Sequence, residues 1–333
     1  MKILLPLLFF AIAKISLAQA ADPKPVGKLI DIGGYRLHIE VEGKGSPKVV
    51  FIAGSQAFSF DWSLVAPFIA AVTQTVTYDR PGLAWSDPGP MPRTFDQDVY
   101  ELHELLQKAE VSPPYILVGH SIGGFIARKF EMKYPGEVKG LVLVDATSEN
   151  STLFLNNKAQ RIRQLSEGRQ IPSVKKQVDT FTKVPAQKDA DDLWKMIGEP
   201  KIDAPYDKLP QKIQALRLWA MKQPKYLVAD DGLYWAEDFE AVYKDSAYSL
   251  GNKPLFVITS GQDNYPKELG DSARIELVKG KLNDQEKMTR LSLNSKHIIT
   301  TKSPHEIHVT EPGLVINAIK SVIESVKTGM PLK

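Results

Sequence analysis

The chain has 333 residues, 43% of them hydrophobic and 24% charged, and this composition is ordinary for a globular protein and excludes a disordered or fibrous one. The formal net charge of +3 is small and no basic stripe occurs, so we predict no nucleic-acid partner. The sequence contains no cysteine, which excludes disulfides, thiolate nucleophiles and cysteine-ligated metal sites.

The first twenty residues have the pattern of a secretory signal peptide. Met1-Lys2 is a short positive start, Ile3–Ala13 is an apolar run, and Ala18-Gln19-Ala20 is a small-x-small cleavage pattern. The apolar run is too short to span a bilayer, and Lys14 interrupts its continuation. We therefore expect a signal peptide over residues 1–20 and an exported protein, periplasmic or secreted, that keeps no stable membrane anchor after cleavage.

Strand-like and helix-like runs then alternate along most of the chain. The predicted strands are 28–32, 35–41, 49–52, 75–78, 115–118, 140–144, 255–259 and 297–301. The predicted helices between and after them are 62–72, 94–109, 125–134, 276–293 and 315–326. Because several of the strands are apolar on both sides, this order predicts a mostly parallel sheet covered by helices on both faces.

The alternation is interrupted between Ser148 and Gly251. This part contains no strand-like run, and prolines separate its helix-like runs. Those runs are 156–167, 174–183, 209–222 and 238–248. We predict a helical insertion over residues 148–251, which divides an α/β core made of residues 28–147 and 252–330.

A serine stands at the apex of a predicted strand–turn–helix unit. In Gly119-His120-Ser121-Ile122-Gly123-Gly124, Gly119 and Gly123 occupy the two positions where a side chain would collide with the neighbouring backbone. A turn this tight forces Ser121 into sparsely populated φ/ψ space and lifts its hydroxyl clear of the sheet. The following helix also directs backbone N–H groups toward the same place. The pattern predicts a nucleophilic serine.

With these features the chain resembles the α/β-hydrolase superfamily, in the form with a helical cap inserted after the sixth strand. The resemblance runs from about Lys28 to the C-terminus. Its motifs are Gly119–Gly124, Asp79–Asp87, Leu141–Asp145, Ser303-Pro304-His305 and Glu311-Pro312. The resemblance implies an eight-stranded, mostly parallel sheet and a catalytic triad in the chain order nucleophile, acid, histidine. It implies no cofactor.

The family's histidine base lies on a loop after the last strand. His305 follows the last predicted strand closely and has Pro312 and the closing helix beyond it, as in the family. His308 is the alternative. The spacing of these two histidines also fits a metal-ligand pair, but no third ligand follows at a suitable spacing, so we predict no metal.

Two aspartates compete for the role of triad acid, which orients the histidine and stabilises its charged form. Asp263 follows the strand after which most family members carry the acid, and we prefer it. Its motif Gly261-Gln262-Asp263 is one residue shorter than the family's glycine-x-x-aspartate. Asp145 follows the preceding strand, a position that some relatives with the same cap use, and it is the alternative.

The resemblance also implies an oxyanion hole made of two backbone N–H groups. One belongs to Ile122, directly after the nucleophile. The other comes from the loop after Ile52, where the family usually has His-Gly and this chain has Ala53-Gly54-Ser55-Gln56. We expect Ser55 to donate, with Gln56 as the alternative. The loop Asp79–Asp87 matches another family motif, and we interpret it as structural.

The insertion is rich in aromatic residues. We expect some of them to line an apolar substrate pocket and most to form the core of the insertion itself. They are Trp194, Tyr206, Trp219, Tyr226, Tyr234, Trp235, Phe239 and Tyr243.

Together these features predict a serine hydrolase that cleaves a small-molecule ester through an acyl-enzyme. We favour a carboxylic ester because an alcohol leaves more readily than an amine. Amide, lactone or carbon–carbon cleavage on the same triad is the alternative chemistry. A non-catalytic binding protein of the same fold is the second alternative.

Overall fold

The computed structural model describes residues 22–155, 158–177, 183–230, 232–245 and 247–332. The predicted signal peptide over residues 1–20 lies outside these ranges, as do residues 178–182 of the helix predicted at 174–183. Within the described part of the chain, no helix is both long and apolar enough to cross a membrane.

Eight of the strands form one sheet. The strands in chain order are β1 (Lys28–Asp31), β2 (Arg36–Glu42), β3 (Lys48–Ile52), β4 (Thr75–Tyr78), β5 (Tyr115–His120), β6 (Val138–Val144), β7 (Thr152–Leu155), β8 (Lys158–Arg161), β9 (Leu255–Ser260) and β10 (Ser295–Thr300). The sheet has the order β1-β2-β4-β3-β5-β6-β9-β10. Strand β2 pairs antiparallel with both of its neighbours, and the pairs from β4 to β10 are all parallel.

Helices cover both faces of this sheet. The helices are α1 (Ala66–Ala70), α2 (Phe95–Lys108), α3 (Ile122–Lys133), α4 (Gln187–Ile197), α5 (Gln211–Met221), α6 (Trp235–Lys244), α7 (Asp271–Thr289), α8 (Ile307–Thr310) and α9 (Pro312–Thr328). Side chains of β5 alternate between two buried clusters: Leu117 packs with residues of α2 and α3, and Val118 packs with residues of α1 and α9. This alternation explains why the strand is buried at every position and begins with four apolar or aromatic residues. The predicted α/β fold with its eight-stranded, mostly parallel sheet is confirmed.

The segment between β6 and β9 contributes no described strand to the main sheet. The helices predicted within this segment were only partly correct. Of the helix predicted at 156–167, residues 156 and 157 lie outside the described residues, Lys158–Arg161 form β8, which pairs antiparallel with β7, and Ile162–Leu165 form a 3₁₀ turn. The described residues 174–177 are not helical. Helix α4 was not predicted, whereas α5 and α6 lie close to their predicted places. The two strands are only four residues long, and neither shows the alternation of apolar and polar residues that predicts a strand.

The parallel strands bring distant parts of the chain to one edge of the sheet. The segments that follow β3, β5, β6, β9 and β10 all leave the sheet at its C-terminal edge. The insertion packs against the core. Its residues Ile162 and Phe239 belong to the buried cluster on one face of the sheet, and Ala220 and Ala229 pack in a cluster with Phe58. In open α/β sheets this edge is where ligands bind.

Candidate active site

The sharp turn predicted around Ser121 is present. Ser121 has φ 54° and ψ −126°, immediately before the first residue of α3. A Cβ atom at Gly119 would lie 2.4 Å from the carbonyl oxygen of Gly123, and one at Gly123 would lie 2.2 Å from that of Ile52. Only glycine fits either position, so the backbone can turn tightly enough to hold Ser121 in strained geometry at the start of the helix.

The loop after β10 brings His305 to the same edge. The Nδ1 atom of His305 lies 2.7 Å from Oδ2 of Asp145, which is hydrogen-bonding distance. Asp145 follows the last residue of β6 with φ 39°, its side chain is 3% exposed, and its Oδ1 accepts a hydrogen bond of 2.9 Å from the Ser260 N–H. A buried carboxylate held this way fixes the ring of His305 and favours the tautomer with its proton on Nδ1.

Asp263, the preferred acid of the sequence analysis, does not meet His305. Its side chain is 36% exposed and forms an ion pair of 3.4 Å with Arg274 of α7. Its Oδ1 accepts a hydrogen bond of 3.1 Å from the Tyr265 N–H. The structure therefore contradicts the preference for Asp263 as the partner of His305 and brings the alternative, Asp145, into that position.

The alternative base, His308, lies beneath the site. It is 2% exposed, contacts the rings of Trp62 and His120, and does not line the cavity that contains Ser121. Burial lowers the pKa of His308 to about 3, and burial likewise lowers the pKa of His120 well below its usual value. Both rings are neutral at pH 7. The Nε2 of His120 lies 3.0 Å from the carbonyl oxygen of His305 and supports its loop.

The two predicted oxyanion donors lie on adjoining segments. Ile122 is the first residue of α3, and its N–H has no carbonyl one turn earlier within the helix to bind. The loop after β3 touches the nucleophile, since a Cβ atom at Gly54 would lie 3.1 Å from Cβ of Ser121. In that loop the Gln56 N–H already donates to Oδ2 of Asp230 at 3.1 Å. Ser55, which lines the cavity, is therefore the better-placed candidate of the two.

A cavity of about 340 Å³ opens above Ser121. His305, Asp145, Ser55 and Ile122 share it with Ser121. Its other lining residues are Ala146, Thr147, Ser148, Ser151, Thr152, Ile162, Trp235, Phe239, Gln262, Asn264, Tyr265, Lys281, Asp284 and Gln285. This volume is at the lower end of the range for small-molecule pockets.

The lining of this cavity combines apolar and polar residues. Of the eight aromatic residues singled out in the insertion, only Trp235 and Phe239 line it. Ile162 is a further apolar lining residue, and hydroxyl, amide and charged side chains are among the others. Burial is the main cause that raises the pKa of Tyr265, with the Asp145 charge adding to it, so the Tyr265 hydroxyl stays protonated and can donate a hydrogen bond.

Two contacts of the site were not anticipated. Lys281 of α7 places its ammonium 3.6 Å from Oδ1 of Asp145, and the Ser260 N–H binds the same oxygen. A lysine within a helix gives no signal in the sequence that it faces a distant aspartate, so neither contact was predictable. Among the described residues, no group of three or more histidine, aspartate or glutamate side chains is arranged to hold a metal ion.

Residues 49–299 match the family model of the alpha/beta hydrolase fold. This match covers more than half of the chain and includes Ser121, Asp145 and the strands that position them. The chain therefore belongs to the alpha/beta hydrolase fold family.

Curated relatives match over shorter stretches. The uncharacterized protein YbdG of Bacillus subtilis is 30% identical over 129 residues, which is 38% of this chain and 40% of YbdG. The (lyso)-N-acylphosphatidylethanolamine lipase of Mus musculus is 32% identical over 115 residues, which is 33% of each chain. The chain spans less than half the length of the first curated relatives that it matches.

Solved structures show the same fold over almost the whole chain. A thermophilic esterase from Thermogutta terrifontis aligns with a TM-score of 0.61 at 18% identity, covering 91% of this chain and 100% of the esterase. At this identity the likeness establishes the fold alone.

Proposed function

We propose that this protein is a serine hydrolase that cleaves carboxylic esters through the triad Ser121, His305 and Asp145. The observation that carries the proposal is the His305–Asp145 hydrogen bond of 2.7 Å in the cavity that Ser121 also lines. A serine on a tight strand–helix turn, a histidine oriented by a buried carboxylate and two N–H groups at one cavity are the parts that acyl transfer requires.

In the first half of the reaction, Ser121 Oγ attacks the carbonyl carbon of the ester while His305 Nε2 takes its proton. The carbonyl oxygen gains the electron pair of its π bond and receives hydrogen bonds from the Ile122 and Ser55 N–H groups. The intermediate then collapses, the bond to the alkoxide oxygen breaks, and this oxygen takes the proton from His305 and leaves as the alcohol. Asp145 stabilises the charged imidazolium that exists between these two proton transfers.

In the second half, water attacks the acyl-enzyme. His305 takes a proton from the water, and the new oxyanion again binds the two N–H groups. Collapse of this intermediate breaks the bond to Ser121 Oγ, which recovers its proton from His305. The acid product leaves and the enzyme returns to its starting state.

The size and lining of the cavity favour a small ester with a short apolar part. Ile162, Trp235 and Phe239 are suited to contact an acyl or alkyl group, and the polar lining residues have hydroxyls and amides for hydrogen bonding. The Thermogutta neighbour is described as an esterase and the mouse relative as a lipase, which supports an ester substrate.

The decisive experiment is labelling of the folded protein with a fluorophosphonate probe. We expect labelling of wild type at Ser121 and none in Ser121→Ala or His305→Ala, because the probe needs an activated serine. p-Nitrophenyl esters of increasing acyl length should then be hydrolysed, with short chains preferred. A folded wild-type protein that neither reacts with the probe nor hydrolyses any ester would overturn the proposal and favour a non-catalytic binding role.

We also propose that the protein is exported and that residues 1–20 are removed. The support is the charge, apolar length and cleavage pattern of that segment. Mass measurement of protein from the extracytoplasmic fraction of a producing bacterial cell tests this. Recovery of full-length protein only from the cytoplasm would contradict the proposal.

A further inference from the structure

We propose that Asp230 of the insertion is a positioning residue that holds the oxyanion loop Ala53–Gln56 in its working geometry. This inference rests on the proposed function, because it assigns Asp230 a role in the same reaction. Asp230 does not line the cavity, and it acts through the loop and through Arg80.

Asp230 binds the loop directly. Its Oδ2 accepts hydrogen bonds from the Gln56 N–H at 3.1 Å and from the Ser55 hydroxyl at 3.2 Å. Gln56 has φ 51°, in the left-handed region that non-glycine residues adopt only when the surroundings hold them there. One carboxylate oxygen therefore contacts the predicted oxyanion donor and the strained residue next to it.

Arg80 completes the attachment from the other side. Its guanidinium donates to the carbonyl oxygens of Ala53 and Gly54, both at 2.7 Å, and to Asp230 Oδ2 at 3.1 Å. The Arg80 side chain is 3% exposed and that of Asp230 is 10% exposed. Burial opposes the charge on Asp230, but Arg80 and the Gln56 N–H outweigh it and hold the pKa of Asp230 below its usual value. The Arg80 guanidinium stays protonated, and its charge keeps the buried carboxylate of Asp230 ionised.

The insertion fixes the position of Asp230. The preceding residue, Ala229, is buried and packs in a cluster with Phe58, Leu83 and Ala220. A Cβ atom at Gly82 would lie 2.9 Å from that of Ala229, so the two backbones are in close contact. Asp230 thus links the insertion to the loop that approaches Ser121, in which Ala53 stands where the family usually has a histidine.

An oxyanion hole works because its donors are already aimed at the charge that develops in the transition state. Loosening the loop should therefore weaken binding of the tetrahedral intermediate more than binding of the planar ester. For Asp230→Asn we expect kcat on a p-nitrophenyl ester to fall about 10- to 100-fold with KM changed less than about twofold. The inhibition constant of an alkyl boronic acid, which forms a tetrahedral adduct, should rise by a similar factor.

A matched control separates this role from general support of the insertion. Glu237 is also a buried carboxylate of the insertion, and it binds Arg169 at 2.9 Å and the Glu167 N–H at 3.3 Å. Neither of these contacts involves the loop Ala53–Gln56, so Glu237→Gln should leave kcat and boronate inhibition within about twofold of wild type. All proteins are assayed well below their unfolding midpoints, so that a loss of stability does not appear as a loss of kcat.

Amide hydrogen exchange of the peptide that contains residues 53–57 tests the attachment without relying on activity. Exchange should be faster in Asp230→Asn than in wild type and unchanged in Glu237→Gln, since only the first variant loses the loop contacts. Unchanged exchange in Asp230→Asn, or an equal kcat loss in both variants, would overturn the inference. Failure of folded wild type to react with fluorophosphonate would instead overturn the proposed function, and with it the catalytic part of the inference.

Discussion

The loops that follow β6 and β9 start from neighbouring strands at the same edge of the sheet, and each carries an aspartate, but only one aspartate contacts His305. Asp145 stands directly after β6, is buried, and bonds to His305 at 2.7 Å. Asp263 comes three residues after Ser260, the end of β9, and pairs with Arg274 at the surface. The strand fixes the direction of a carboxylate that directly follows it, whereas a residue farther along a loop can turn its side chain outward.

The two loops also differ in how their backbones are held. The Ser260 N–H donates to Asp145, and the Ser260 hydroxyl donates to the carbonyl oxygen of Ser303, two residues before His305. The end of β9 therefore orients the acid after β6 and anchors the loop of the base. It contributes backbone and hydroxyl groups to the site instead of a carboxylate.

The largest expected effect comes from removing the charge of Asp145, and the matched change at Asp263 is its comparison. Asp145→Asn should lower kcat about 10³- to 10⁴-fold, because the asparagine cannot stabilise the imidazolium or favour the required tautomer. Asp263→Asn should change kcat less than about twofold. Steady-state kinetics on one p-nitrophenyl ester checks both, and equal losses in the two variants would contradict the distinction drawn between the loops.

A second variant tests whether the loop after β9 can supply the carboxylate that orients His305. Asn264 lines the cavity and stands where the family's glycine-x-x-aspartate spacing from Gly261 would place the acid. Adding Asn264→Asp to Asp145→Asn should raise kcat about tenfold above Asp145→Asn alone, because a carboxylate then faces the same cavity as His305. Asp145→Asn with Asn264→Ala is the control and should give no gain. Equal kcat in the two double variants would mean that position 264 does not reach the histidine.

A smaller effect is expected from Lys281, whose ammonium lies 3.6 Å from Asp145. Replacing it by methionine removes one of the groups that hold the Asp145 carboxylate in place beside His305, so kcat should fall about two- to tenfold. Lys281→Arg keeps the charge and should leave kcat close to that of wild type. Steady-state kinetics on one p-nitrophenyl ester measures both variants, and equal kcat values in the two would contradict this role of the ammonium.

The smallest effect concerns stability at the β9 loop. The Asp263–Arg274 ion pair is partly exposed, and such pairs contribute about 0–1 kcal/mol to the free energy of unfolding. Asp263→Asn should therefore lower that free energy by no more than about 1 kcal/mol in urea titrations at low salt. The difference should shrink in 1 M NaCl because salt screens the pair. A much larger loss would show that Asp263 has contacts of greater structural importance than this ion pair.

The features that could be predicted from the sequence depend on residues close together in the chain. The buried strands appear as short apolar runs, and the start of α2 was predicted from Thr94, whose hydroxyl accepts a hydrogen bond of 3.1 Å from the Gln97 N–H. The hairpin β7–β8 was missed because its short strands lack an alternating apolar pattern. The contacts of Asp230 and Lys281 join residues more than 100 positions apart, and no local pattern records them.

The sequence by itself determined the turn at Ser121, because the collision that excludes a side chain at Gly119 is with Gly123, only four residues farther along the same turn. Only the tertiary structure decided which aspartate meets His305. The Nδ1–Oδ2 contact depends on how β6, β9 and β10 align in the sheet and on how far each carboxylate stands from the end of its strand. A few additional loop residues are enough to turn a carboxylate away from the histidine. Its direction therefore cannot be predicted until the packing of the three strands is known.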